Sequence, residues 1–159
     1  MKALKCLFAL FVFFPLALAY SAPASSVPAA YAPSAQKNSW ECDTDSPDLR
    51  AEFDYLNKAY FDGRLKVTAI YWSETLQPCQ LGVTHWWQES GMIKIVLNPN
   101  TMISADPETR TAVLLHEMCH AASFMWDASV VSVHDNHAAK SFKDQMARLQ
   151  RLGCNPWPY

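Results

Sequence analysis

The first periodic segment of the chain predicts an amphipathic helix. Ser46 and Pro47 suit its N-cap and first turn, and Gly63 suits its end. Between them, large apolar residues recur at intervals of four, three and four: Leu49, Phe53, Leu56 and Tyr60. This spacing is the period of a helix that buries one face.

Three short runs with strand character follow this helix. They are rich in β-branched and aromatic residues and cover 65–72, 81–87 and 92–97. Ser90-Gly91, between the last two runs, predicts a hairpin turn. We therefore expect a small antiparallel sheet of three strands.

Two further helices are predicted after the strands. Asp106-Pro107-Glu108 is a helix start, and the helix that follows is expected to end near Met125. Asp135 or Asn136 is expected to cap the last helix, whose apolar positions are Phe142, Met146, Leu149 and Leu152. Helices segregated in the chain from a small sheet indicate a single α+β domain.

The N-terminal residues predict export from the cell. Lys2 and Lys5 precede an apolar run from Leu7 to Leu18, and Ala17-Leu18-Ala19 fits a small-x-small cleavage site. An uncleaved membrane anchor is the alternative, but the run is short for a membrane span. We expect a signal peptide at residues 1–19 and a secreted protein without membrane attachment after cleavage.

The segment after the signal peptide differs in composition from the rest of the chain. Residues 20–41 are mostly Ala, Ser and Pro without an apolar period, which is typical of a disordered leader. Whether this leader is a pro-segment is left open. Residues 42–159 are expected to form the folded domain, as a monomer.

Charge and cysteine content agree with an extracellular domain. The chain has a formal net charge of −2, and loss of two lysines with the signal peptide makes the charge −4. Because there is no basic excess, we expect no nucleic-acid partner. Four cysteines would remain, which suits two disulfide bonds. Spacing leaves all three pairings open, and we favour Cys42 with Cys154 and Cys79 with Cys119.

The segment His116-Glu117-Met118-Cys119-His120 carries the strongest chemical signal. Residues four apart on a helix lie on one face, so both imidazoles can bind one metal ion. Glu117 then lies close enough to take a proton from a water on that ion. This HExxH pattern is typical of zinc metalloproteases. The alternative is a pair of hydrogen-bonded, inert histidines on a helix surface.

Catalytic zinc commonly takes a third protein ligand and keeps a fourth position for water. No Glu follows Glu117, and no third His lies close after His120. The remaining candidates are His134, His137, Asp127, Asp135 and Asp144. His137 stands at the predicted start of the last helix, a rigid element that can direct it toward the preceding helix, whereas His134 lies in the loop before it.

Several blocks, in order along the chain, resemble the SprT-like metalloprotease domain. The blocks are Leu56 to Leu65 (LNKAYFDGRL), Ile70-Tyr71-Trp72, Cys79 to Thr84 (CQLGVT), Ile95 to Pro99, Leu114 to Ala121 and His137 to Phe142. The similarity covers about residues 46–152. It implies a zincin-like domain with one catalytic Zn²⁺ on His116, His120 and His137, and with Glu117 as general base. Ala138 stands where that family usually has Gly.

These patterns together predict a secreted zinc-dependent endopeptidase. It would hydrolyse peptide bonds of a protein or peptide substrate through a zinc-activated water, with Glu117 as general base. His134 is a candidate second donor to the oxyanion, and the run 92–97 is a candidate edge strand for pairing with substrate. Because of the export signal and acidic balance, the DNA-linked role of cellular SprT-like proteases is not carried over.

Two alternatives keep the metal-binding helix without catalysis. One is a secreted zinc-binding or effector-like interaction protein without proteolytic activity. The other is a structural zinc domain, closed by a fourth ligand such as His134 or Asp135. The carboxyl group of Glu117 favours the enzyme, because storing or structurally binding zinc does not require it.

Overall fold

A computed structural model describes residues 44–130 and 137–157 of the chain. The predicted signal peptide, the leader, Cys42 and His134 lie outside these ranges. The described residues form α1 (Pro47–Tyr60), β1 (Ala69–Trp72), β2 (Gly82–Trp87), β3 (Met92–Leu97), α2 (Pro99–Met102), α3 (Pro107–Trp126) and α4 (Lys140–Arg151). This arrangement confirms the α+β class, with a small three-stranded sheet.

The sheet is mixed, and β3 is its central strand. β2 runs antiparallel to β3, and the hairpin between them turns at Gly91, whose φ of +67° suits glycine. β1 pairs with β3 in the parallel direction. The prediction of a fully antiparallel sheet is therefore wrong for β1. Instead of a tight reversing turn, the connection over residues 73–81 carries the chain to the far edge of the sheet.

β1 is shorter than the predicted run because its first residues are held elsewhere. The Asn57 side chain accepts a hydrogen bond from the Leu65 backbone N–H and donates one to the Leu65 carbonyl, at 3.1 and 3.0 Å. Those backbone groups are thus unavailable for a strand ladder, and regular pairing begins at Ala69. This clamp fixes the end of α1 against the chain that enters the sheet.

The helix starts agree with the sequence in two cases and differ in one. Asp106 caps α3 by accepting from the Thr109 backbone N–H at 2.9 Å, and Ser46 precedes α1 as its N-cap residue. α4 begins at Lys140 with Ala139 in the N-cap position. The predicted caps, Asp135 and Asn136, lie outside the described residues. Since α4 starts at Lys140, His137 lies in a turn before α4 and not at the helix start.

Helix α3 forms the centre of the core. It is buried along most of its length, and contacts the sheet through β2 and β3 and the C-terminal helix α4. A buried ion pair ties it to α1, because Arg110 Nε donates to the Glu52 carboxylate at 3.0 Å. Thr111 donates to the same carboxylate at 2.7 Å. These contacts fix the first turns of α3 against α1, and α3 carries His116 and His120.

The cysteines of the described residues are free thiols. Cys79 is exposed before β2, Cys119 is buried in α3 and Cys154 is half-buried after α4. The favoured pair of Cys79 with Cys119 is wrong, because one thiol lies at the surface and the other inside the core. The favoured pair of Cys42 with Cys154 involves a residue outside the described ranges.

Among the helices of residues 44–130 and 137–157, none is long and apolar enough to span a bilayer.

Candidate active site

Three imidazoles converge at the junction of α3 and α4. His116 and His120 lie one turn apart on α3, and His137 approaches from the turn before α4. Their Nε2 atoms are 3.0, 3.0 and 3.1 Å from one another. Tetrahedral coordination with bonds of ~2.0–2.1 Å separates ligand nitrogens by about 3.3 Å. The geometry of this donor set therefore fits a zinc-sized cation.

The other candidate ligands do not join this cluster. Asp127 ends α3 and accepts hydrogen bonds from Ser129, and Asp144 pairs with Lys140 at 2.6 Å. His134 and Asp135 lie outside the described residues. Among the residues that are described, the metal-ligating cluster consists of the three histidines alone, a set that leaves a coordination position for water.

A backbone carbonyl orients the first histidine. His116 Nδ1 lies 2.7 Å from the Trp157 carbonyl oxygen, which can only accept. Nδ1 therefore carries the proton, and the Nε2 lone pair points into the cluster, the arrangement common for metal-bound histidine. Burial lowers the pKa of His116; the Trp157 carbonyl acts in the opposite direction, and the charge of His137 lowers the pKa further. The neutral, metal-binding form is thus favoured.

One aromatic ring packs against all three histidines. Phe142 of α4 is fully buried, and its centroid lies 4.3 Å from that of His120 in a stacked arrangement. The centroids of His116 and His137 are 5.2 and 5.1 Å away. Phe142 therefore contacts the histidines of α3 and the histidine before α4 at the same time. When α4 packs against α3, this ring also orients the three imidazoles.

The carboxyl group of Glu117 is buried beside the cluster. It accepts a hydrogen bond from the Thr84 hydroxyl at 2.8 Å, and only 5% of the residue is exposed. Burial raises the pKa of Glu117 to about 7, and the hydrogen bond from Thr84 acts in the opposite direction. A carboxyl group that titrates near neutrality is suited to accept and release protons.

The predicted substrate edge is displaced by one strand. The run 92–97 is the central strand β3, so the prediction that it forms an exposed edge is wrong. The edge next to α3 is β2, which has a strand partner on one side only within the described residues. β2 therefore replaces β3 as the candidate for backbone pairing.

The tryptophans are mostly packing residues. Trp72 is in the core and Trp86 stacks on Phe124, whereas Trp87 and Trp126 are partly exposed. His85 lies beside Trp87, with ring centroids 5.7 Å apart, and does not belong to the histidine cluster. Trp72 and Trp86 thus belong to the core, and Trp87 and Trp126 to its rim.

Sequence reasoning missed three residues that shape the site. Phe142 was identified only as an apolar helix position. Thr84 stands in the block CQLGVT that contributed to the resemblance, but a lone Thr in a strand carries no chemical signal. Trp157 contributes through its backbone carbonyl, which any residue has, so no sequence signal exists for it.

Residues 49–157 match the SprT-like family over most of the chain. The chain belongs to the SprT-like family. It is similar to proteins named DNA-dependent metalloprotease SPRTN: 29% identical over 116 residues in Xenopus tropicalis, 32% over 87 in Homo sapiens and 32% over 117 in Danio rerio. The alignments cover 73%, 55% and 74% of this chain. They span 26%, 18% and 18% of those relatives.

The relatives also bear on cofactor and partners. Their name describes metalloproteases, which implies a metal ion, and the three imidazoles of this SprT-like domain are compatible with one. The same name makes those proteins DNA-dependent. The expectation that excluded nucleic acid is therefore wrong: it relied on net charge, which does not report a local binding surface.

Proposed function

We propose that this SprT-like domain is a zinc-dependent endopeptidase. The observation that carries the proposal is the convergence of three Nε2 atoms at 3.0–3.1 Å beside the buried carboxyl group of Glu117. His116, His120 and His137 would hold the ion. A carboxyl group in this place has a use in hydrolysis and none in zinc storage.

The chain's own groups supply the proton transfers. Zinc, when bound, lowers the pKa of a water molecule toward ~7 and polarises a carbonyl. The Glu117 carboxylate takes the proton of the attacking water and then donates it to the leaving amine nitrogen. Burial, which raises the pKa of this carboxyl group to about 7 in the metal-free protein, favours its uptake of that proton.

Strand β2 is the proposed platform for substrate. It is the edge strand next to α3, and Glu117 lies against it through Thr84. An extended peptide paired with this edge would be held mainly through main-chain hydrogen bonds, which gives weak side-chain selectivity. A protein or peptide with an unfolded stretch is the expected substrate.

DNA is included in the proposal as a partner. It is supported by the relatives, which are named DNA-dependent, although the aligned part spans only 18–26% of their length. The prediction is that added DNA increases cleavage and that increasing salt removes the effect, because phosphate contacts release counterions.

Export is also proposed. It is supported by Lys2, Lys5, the apolar run from Leu7 to Leu18 and the small residues Ala17 and Ala19. The mass of protein recovered from the culture medium tests it, since a mature chain should begin at Tyr20. Protein found only inside the cell at full mass would contradict export.

The test of the peptidase combines metal analysis with a cleavage assay. Mature protein is assayed on casein and a peptide library, with and without DNA, next to the Glu117→Gln variant. We expect one zinc per chain in both proteins and a kcat at least about 100-fold lower in the variant. A chelator should abolish cleavage by the parent protein.

Matched histidine variants separate the metal site from general damage. His137→Ala should lose zinc, whereas His85→Ala, a histidine on β2 outside the cluster, should keep it. A parent protein that binds zinc but cleaves nothing would leave a zinc-binding interaction protein as the function. Full activity in Glu117→Gln would overturn the role of that residue.

A further inference from the structure

Strand β2 forms a seat for the Glu117 side chain. Gly82 and Thr84 are two residues apart, so they face the same side of the sheet, toward α3. The Thr84 hydroxyl oxygen lies 2.8 Å from Oε2 of Glu117 and 3.0 Å from its backbone oxygen. A Cβ atom at Gly82 would lie 3.1 Å from both Cγ and Oε1 of Glu117. Thr84 thus provides a hydrogen-bond donor for the Glu117 side chain, and the absence of a side chain at Gly82 leaves room for it.

Packing fixes the register of this seat. Trp86, the next residue on the same face of β2, stacks on Phe124 of α3 with centroids 5.1 Å apart and planes at 21°. On the other side, Thr84 pairs with Ile95 of the central strand. A slip of β2 by one residue would turn this face away from α3. The hydroxyl is therefore held in place by contacts on both sides.

Burial makes the hydrogen bond more effective. Thr84 is 4% exposed and Glu117 is 5% exposed, so water competes little for either group, and electrostatic interactions are stronger than in solvent. Within the described residues, the Thr84 hydroxyl is the side-chain donor that reaches this carboxylate.

We propose that Thr84 is a positioning residue for Glu117, whose carboxylate it holds at the angle required for proton transfer. The inference rests on the proposed peptidase function. A hydroxyl group can donate to a carboxylate and accept from a carboxylic acid. When Glu117 carries the proton, the Thr84 hydrogen can turn to the Glu117 backbone oxygen. Thr84 therefore supports the side chain both before and after it takes up a proton.

Substitutions at Thr84 test the hydroxyl group separately from the side-chain shape. Thr84→Val keeps the shape and removes the hydroxyl, so we expect kcat to fall about 10–100-fold with KM and zinc content unchanged. Thr84→Ser keeps the hydroxyl and should recover kcat to within a few-fold of the parent. Thr101→Val is the matched control, because the Thr101 hydroxyl donates to the carbonyl of Asn98, the N-cap residue of α2, outside the site.

The outcomes distinguish positioning from structure. Parental kcat in Thr84→Val would overturn the proposal, and equal loss in Thr84→Ser would assign the effect to the methyl group. Loss of zinc in Thr84→Val would mean a structural role.

A second measurement does not depend on cleavage. If Thr84 and Glu117 interact, the Tm shifts of Thr84→Val and Glu117→Gln should not add in the double variant. Additive shifts would overturn the contact. If the Tm shifts are non-additive but the parent protein cleaves no substrate, the contact between Thr84 and Glu117 stands and the proposed peptidase function fails.

Discussion

At the scale of single residues, Phe142 is the aromatic residue that joins the three histidines. Its ring is fully buried and contacts the imidazoles of His116, His120 and His137. A histidine ring can rotate about its side-chain torsions unless packing prevents it. Phe142 therefore limits rotation of all three rings at once, and gives the site its shape before any ion binds.

Truncating this ring should affect both stability and metal binding. Phe142→Ala is expected to lower the free energy of unfolding of metal-free protein by about 3–5 kcal/mol and to weaken zinc affinity. Phe53→Ala is the control, because that ring is equally buried in α1 without contact to the histidines. Urea unfolding and zinc titration would measure the two effects. Equal zinc affinity in both variants would contradict the role of Phe142.

The sequence predicted some residues of the site and not others, for a physical reason. His116, Glu117 and His120 share one helix, and helical spacing alone places them on neighbouring positions. His137 had to be chosen from five candidates, because its approach depends on how α4 docks. Thr84 depends on the packing of β2 against α3, which local sequence does not encode.

At the scale of elements, the start of α1 shows how charge fixes a junction. The Asp45 carboxylate accepts from Arg50 of α1 at 2.8 and 2.9 Å and from the Ile70 backbone N–H of β1 at 2.8 Å. Partial burial raises the pKa of Asp45, but these hydrogen bonds and the charge of Arg50 outweigh it and leave the pKa lowered. One carboxylate thus joins the first helix to the first strand.

This junction predicts a pH dependence of stability. Because the folded-state pKa of Asp45 is lowered, its stabilising effect is present above the unfolded value of ~3.9 and is lost as pH falls through the folded value. Asp45→Asn should lower the free energy of unfolding at pH 6–7 by about 0.5–1 kcal/mol. The difference should shrink toward pH 3.

Urea unfolding of chelator-treated protein at several pH values measures this effect. Asp54→Asn, at an exposed position of α1, controls for the change in net charge. A difference between Asp45→Asn and parent protein that stays constant down to pH 3 would contradict the assignment.

The limits of sequence-based prediction at this scale lie in the connections. Periodicity located α1, the β2–β3 hairpin and α3, since each is specified by local pattern. It did not give the direction of β1, because a parallel pair depends on the path of residues 73–81. It also placed the start of α4 too early, since Ala139 offers no side-chain cap.

At the scale of the whole molecule, the C-terminal segment (residues 152–157, after α4) returns to contact α3. The Trp157 backbone N–H donates to the Ala112 carbonyl at 2.9 Å, and its own carbonyl accepts from His116. The last described residue therefore contacts the helix that carries two of the histidines. Its contribution comes from the main chain, while its side chain is partly exposed.

Removal of this segment should weaken metal binding. A chain that ends at Asn155 lacks the carbonyl that orients His116, so we expect zinc affinity to fall about 10–100-fold. Trp157→Ala retains the backbone carbonyl and should bind zinc within a few-fold of the parent. Competition with a chromogenic chelator measures both. Equal loss in the two variants would assign the effect to the indole ring.

Family and fold class were available from the sequence, whereas partners were not. Ordered blocks of sequence across the domain indicated the SprT-like family, and the family match covers residues 49–157. Partner prediction failed because the sum of charges says nothing about where they lie. These relatives are several times longer than the matched region. Residues outside that region can therefore contribute to their dependence on DNA.

The three imidazoles lie where α3, α4 and the C-terminal segment meet, so an ion bound there would affect the thermal stability of the fold. The cysteines of the described residues are free, so an ion bound by these imidazoles would provide a crosslink between α3 and the turn before α4. Binding that favours the native state raises its population by mass action. Heat tolerance of the enzyme would then follow metal supply, and zinc depletion would loosen the residues from His137 onward at the same time as it stops catalysis.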